Sequence, residues 1–101
     1  SSFKQNLKGD KIYTVFEDSE GDEWILTNKG ISIIGKKQVD SDFPFQYIKE
    51  ADGIIYLVSQ SDKLASYNFK TRQFKFIEIP YHVSMINEVK KFDSNTLLLA
   101  T

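Results

Sequence analysis

His82 is the only histidine among the 101 residues, and it stands in Pro80-Tyr81-His82-Val83. An imidazole titrates near neutral pH and can move protons. To do so on a substrate it needs a nucleophile or a carboxylate held beside it, and no G-x-S-x-G turn accompanies it. A metal would need further ligands in a spaced cluster, and the sequence has no cysteine and no second histidine. The sequence therefore places His82 in a loop between repeats. The acidic group Asp18, Glu20, Asp22 and Glu23 supplies the oxygen ligands that calcium prefers. A calcium loop of the form D-x-[DN]-x-[DN]-G needs an acidic residue five places before its glycine, and the place five before Gly21 is Phe16. A solvated hairpin turn is the expectation instead.

Asp40, Asp42 and Asp52 could in principle form the carboxylate pair of a glycosidase. They fall in loops with no sign of the burial that would raise one pKa and make an acid of it. No catalytic, cofactor-binding or metal-binding residue is expected, and no cofactor. Sugar rings stack on aromatic faces, and Trp24, Phe43, Phe45, Tyr47, Tyr56, Tyr67 and Tyr81 are the residues that could offer such faces. Trp24 and Tyr56 lie inside strand-like runs and are expected to pack. Phe43, Phe45 and Tyr81 lie in or near connections and are the candidate ligand contacts, although packing is the leading role for these as well.

These side chains depend on elements that position them. Hydrophobic residues make up 41% and aromatics 14%, which excludes a disordered chain and leans towards strand. Thirteen Lys and Arg against fourteen Asp and Glu give a net charge of −1 with no basic stripe, so nucleic acid is not an expected partner. No run approaches the roughly 18 apolar residues of a membrane helix. No direct membrane insertion is expected, and the sequence carries no signal-peptide pattern. The apolar run Leu97-Leu98-Leu99-Ala100-Thr101 reads as an interrupted strand, so a cut from a larger domain is expected.

The stretch Tyr13 to Ile34 reads as three strands, near Ile12–Glu17, Glu23–Thr27 and Ile31–Gly35, with Gly21 and Gly30 in the two turns. Residues 36–42 are polar around Val39, so any fourth strand there is short and exposed. A second copy begins at Phe45. Its strands are expected at Gln46–Glu50, Ile54–Val58, Leu64–Phe69 and Phe74–Ile79, with Asp52-Gly53 as a hairpin signal and Pro80 as the stop. A third copy takes Ile86–Phe92 and Thr96–Thr101, although 83–92 could also be written as a short helix. Val15, Ile48 and Val89 are equivalent, with spacings of 33 residues (15 to 48) and 41 residues (48 to 89). A period of about 30–45 residues with four short strands per unit is that of β-propeller blades. The fold expected is all-β, a β-propeller fragment of two to three four-stranded antiparallel blades. Residues 1–10 would end a preceding blade, 11–43 and 44–80 would be blades, and 81–101 would start a truncated one.

Glu17 to Ile31, EDSEGDEWILTNKGI, resembles the two-component regulator propeller repeat: an acidic residue, a glycine turn, Leu-Trp-Ile-Gly-Thr, then Gly-Leu. Tyr67-Asn68 with Thr71 and Phe74 is similar to the blade ending of those repeats. Leu26 stands where the pattern has glycine, and the second copy has Tyr56-Leu57-Val58-Ser59 with no tryptophan. The resemblance implies structural places only: Trp24 and Tyr56 between blades, and Gly21, Gly30 and Gly53 in turns. It further implies a periplasmic sensor domain of a hybrid histidine kinase that responds to carbohydrate, with no chemistry in this segment. An oligosaccharide ligand of the intact domain and self-association of the fragment are the expected partners. The alternatives are a segment of an enzymatic propeller, lyase or glycosidase-like, and a free-standing lectin-like assembly. An intracellular WD-type scaffold fits least, lacking both the Trp-Asp and the Gly-His pairs.

Overall fold

The computed structural model describes residues 9–60 and 63–78, together with the backbones of 88–93 and 96–100. The described residues are all-β and antiparallel. The chain divides into two compact units, residues 1–46 and 47–101.

The first unit holds β1 (Ile12–Glu17), β2 (Glu23–Thr27) and β3 (Gly30–Ile34) in the order β1-β2-β3. The β1–β2 turn closes with Asp18 N–H donating to Asp22 C=O at 2.9 Å and Gly21 N–H to Asp18 C=O at 3.0 Å. That closure fixes the register, pairing Phe16 with Trp24 and Val15 with Ile25. β2 is buried on both faces from Trp24 to Thr27, and Trp24, Ile25 and Leu26 are wholly excluded from solvent. Each such side chain contributes about 1.5–3 kcal/mol of transfer free energy. The centre of the unit is therefore β2, flanked by two strands it anchors.

The second unit places β4 (Tyr47–Ala51), β5 (Ile54–Val58), β6 (Leu64–Asn68) and β7 (Phe74–Ile77) in one four-stranded sheet of that order. β8 (Glu88–Asp93) and β9 (Thr96–Ala100) form a separate hairpin. Asp52 and Gly53 both have positive φ (+52° and +76°), the geometry of a two-residue hairpin turn that Asp-Gly adopts readily. β5 is buried on both faces from Ile55 to Val58. On one face Tyr56, Val58 and Leu64 form a cluster, with Tyr47, Ala51, Ile54 and Ile77 against it.

The strand expectations stand within one or two residues, with three differences. The third strand starts at Gly30 and ends at Ile34, one residue early. β7 ends at Ile77, and its burial does not alternate, because Phe76 is 53% exposed. Residues 36–42 form no strand. Residues 88–92, part of the stretch also writable as a helix, are strand in β8. Residues 83–87 lie outside the described residues, as do Tyr81 and His82.

Candidate functional site

The densest group of charged side chains in the described residues sits at the β1–β2 turn. The sequence predicted a solvated turn there, and the structure corrects that. Asp18 and Asp22 are 4% and 6% exposed. The cause is a residue the sequence reading passed over. Lys37, three residues past β3, sends its ammonium into the turn and meets Glu20 Oε1 at 2.7 Å, Asp18 Oδ2 at 2.9 Å and Asp22 Oδ2 at 3.3 Å. An ammonium has three N–H donors, and here each has a carboxylate.

The carboxylates are satisfied in turn. Asp18 Oδ1 accepts the backbone N–H of Glu20 at 2.9 Å and of Asp22 at 3.1 Å. Its Oδ2 accepts the indole N–H of Trp24 at 2.8 Å besides the Lys37 ammonium. All four lone-pair positions of this buried carboxylate are thereby used. Asp22 binds the backbone that carries Lys37: Oδ1 accepts Lys36 N–H at 3.1 Å and Oδ2 accepts Lys37 N–H at 3.0 Å. Gly35 makes that approach possible, since a Cβ at this position would overlap Asp22 Oδ1. The turn and the segment after β3 are thus joined by one ammonium and two backbone amides, while the Trp24 indole ties the turn to β2.

Electrostatics follow from the contacts. Burial opposes ionisation of Asp18, but the Trp24 indole, the Lys37 ammonium and the amides of Asp22 and Glu20 outweigh it and hold its pKa below the usual carboxylate range. Asp22 behaves alike: burial opposes, while the amides of Lys36 and Lys37 and the Lys37 charge prevail. For Lys37, burial disfavours the charge, and the hydrogen bonds to Glu20, Asp18 and Asp22 raise its pKa well above the ordinary lysine value. Groups so locked in their charged forms are poor proton donors or acceptors near neutral pH. The cation that balances the turn is the protein's own ammonium. The arrangement fastens two parts of the chain.

Of the structural places implied by the repeat, Gly21, Gly30 and Gly53 all have positive φ, +88°, +131° and +76°. Trp24 is fully buried and Tyr56 nearly so, at 4%. The hydroxyl of Tyr56 is raised in pKa by burial and then by the Asp52 charge. Among the candidate ligand contacts, Phe45 is wholly buried and has no exposed ring face to offer, while Phe43, half-buried, packs on it with ring centroids 5.1 Å apart. Asp40 and Asp42 are exposed and line one shallow depression of about 470 Å³ with Asn28 and Lys29, whereas Asp52 belongs to the other unit. No helix among the described residues is long and apolar enough to cross a membrane.

Part of the cluster left a signal in the sequence. A tryptophan N–H that must find an acceptor once buried, with an acidic turn six residues before it, points to Asp18, but nothing in the sequence singles out Lys37. No protein-family profile matches the chain, and neither curated proteins nor solved structures give a match.

Proposed function

We propose that the chain is a segment of a β-propeller that acts by recognition within a carbohydrate-responsive bacterial sensor, with catalysis elsewhere in the parent protein. The observation that carries this reading is the agreement between the two units in backbone hydrogen bonding. In β2 the alternate residues Trp24 and Leu26 bond to β1, and Ile25 and Thr27 bond to β3, as the closure at Asp18 and Asp22 dictates. In β5 the same parity holds: Tyr56 bonds towards β4, and Leu57 towards β6, as fixed by Ser59 N–H on Lys63 C=O at 3.0 Å. Trp24 and Tyr56 are then equivalent in the ladder, as the repeat requires.

A second feature supports a third repeat: the backbone of β8 comes within 8 Å of β4, first strand beside first strand. Sheets arranged radially with their first strands innermost have this adjacency. The charged cluster is committed to holding turns, which favours a scaffold over an acid–base centre. Periplasmic placement, a kinase output and an oligosaccharide ligand come from the resemblance of residues 17–31 alone.

The test is the coding sequence on both sides of the segment. Further repeats at similar spacing, then an apolar helix and a kinase-type phosphoacceptor histidine, are the expected result. Isothermal titration of the whole sensory domain with oligosaccharides would then identify the ligand. A stop codon soon after Thr101 would overturn the kinase link and leave a self-assembling lectin-like protein as the better reading.

A further inference from the structure

In the second unit the fourth strand β7 lies on the outer edge of β6, with Leu64 opposite Ile77 and Ser66 opposite Lys75. The matching places on β3 follow from its pairing with β2. Ile31 faces Leu26 and Ile33 faces Trp24, as Leu64 faces Val58 and Ser66 faces Tyr56. Ile31 already makes one bond of a fourth strand, donating its N–H to Ser41 C=O at 3.0 Å. In an antiparallel ladder such a bond joins residues directly opposite, and the next outward-facing residue is two along. Ile33 is that residue, and its partner in this register is Val39. The outward N–H and C=O of Ile33 and the backbone groups of Val39 meet no hydrogen-bonding partner among the described residues. A groove of about 490 Å³ separates the two, with Ile31, Ser32 and Ile33 along one side and residues 37–40 along the other.

The segment beside the groove is fixed at both ends. At one end Asp22 accepts the N–H groups of Lys36 and Lys37 at 3.1 and 3.0 Å. At the other, Ser41 is held by Ile31, and its C=O lies so close to Gly30 that a Cβ there would overlap it. Val39 is the one apolar residue of 36–42, and the register sets it opposite Ile33. We infer that residues 38–40 are a strap that closes onto β3, with Val39 and Ile33 exchanging both backbone bonds. Closure leaves Gly35-Lys36-Lys37 as a three-residue hairpin connection, a common length, so the amides held by Asp22 stay where they are. With both ends placed beforehand, closing orders only the residues between them, a small loss of chain entropy. Closed, the strap completes the four-stranded sheet that the second unit shows. Open, it leaves a sheet edge beside the Lys37 cluster. The strap shares with the propeller reading only the equivalence of the two units; amide exchange tests the one and the flanking coding sequence the other.

The test is hydrogen exchange of the isotope-labelled 101-residue chain, followed by NMR. A strap that closes shields the Ile33 amide, which should exchange at least about tenfold more slowly than the same amide in the unfolded chain. Val39→Pro removes the donor that Ile33 C=O would receive and bars the pairing. In that variant the Ile33 protection should be lost, while the Ser32 amide, in the ladder with β2, and the unfolding midpoint stay near those of the parent. If the proline variant fails to fold, Val39→Gly replaces it and should lower the Ile33 protection in the same direction, because glycine weakens a strand. An Ile33 amide that exchanges at the unfolded rate in the parent, or equal protection in the parent and the folded variant, would overturn the inference.

Discussion

Asp18 and Lys37 form an ion pair at 2.9 Å in which the carboxylate side chain is wholly buried and the lysine side chain is 7% exposed. Lys37 reaches it from beyond the β2–β3 hairpin. A buried pair of this sort adds little over a well-packed apolar contact, yet breaking it from one side leaves a charge in a medium that cannot solvate it. Here the two charges do a further job. They tie the start of the repeat to the segment that leaves its third strand.

Replacing Lys37 is therefore expected to be costly out of proportion to its place in a loop. Lys37→Met keeps the stem and removes the ammonium, and should destabilise the chain by about 3–5 kcal/mol. Glu20→Gln removes a partner whose side chain is 57% exposed, and should change stability by no more than about 1 kcal/mol. Urea unfolding of the two variants beside the parent checks both values. Similar midpoints for the two would mean the cluster is not the fastener described.

The pH dependence has a definite sign. Asp18 and Asp22 have folded pKa values below the ordinary carboxylate value of 3.8. Their contribution is present above that value and is lost as pH falls through the folded values, so stability should drop in acid below about pH 4. Lys37 is raised above 10.5, so its contribution is complete below that value and declines only as pH rises beyond it. Between roughly pH 5 and 10 these three groups leave stability flat. Urea midpoints measured against pH should show the acid limb in the parent and a shallower one in Asp22→Asn.

Gly35 has φ of +151° and faces the Asp22 carboxylate, whereas Gly21, at +88°, has open space where a Cβ would go. Alanine at either position strains the backbone by about 1–3 kcal/mol. Only at Gly35 does it also push aside the carboxylate that binds Lys36 and Lys37. Gly35→Ala should lower the melting temperature more than Gly21→Ala. Equal losses would show that backbone strain alone sets the effect.

What was legible in the sequence was what local chemistry decides. Asp52-Gly53 and Gly21 forecast their turns because positive φ is a property of one or two residues. The runs EWILT and IIYLV forecast centrally buried strands because they are apolar on both faces. The Lys37 fastener was not legible in the same way. Nothing in Lys36-Lys37 distinguishes it from a solvated pair until Asp22 is seen to grip its backbone, and that contact depends on the path of the chain after β3. Phe45 illustrates the same limit: its place beside a connection left both packing and access open, and its burial was decided by the fold around it.

The last expectation concerns Trp24, whose indole N–H shares Asp18 Oδ2 with the Lys37 ammonium. If the two donors act on one buried carboxylate, their losses cannot be independent. Trp24→Phe alone takes away one of two charge-compensating contacts on that oxygen and should cost about 1–3 kcal/mol beyond its lost packing. In the Lys37→Met background Asp18 is already under-compensated, and a carboxylate in that state takes up a proton more readily. A protonated Asp18 has less need of the indole, so Trp24→Phe should cost less there. Residues sharing a network show coupling energies of about 0.5–3 kcal/mol, and a double-mutant cycle on these two positions should fall in that range. Strict additivity would mean that the indole and the ammonium act on Asp18 independently of one another.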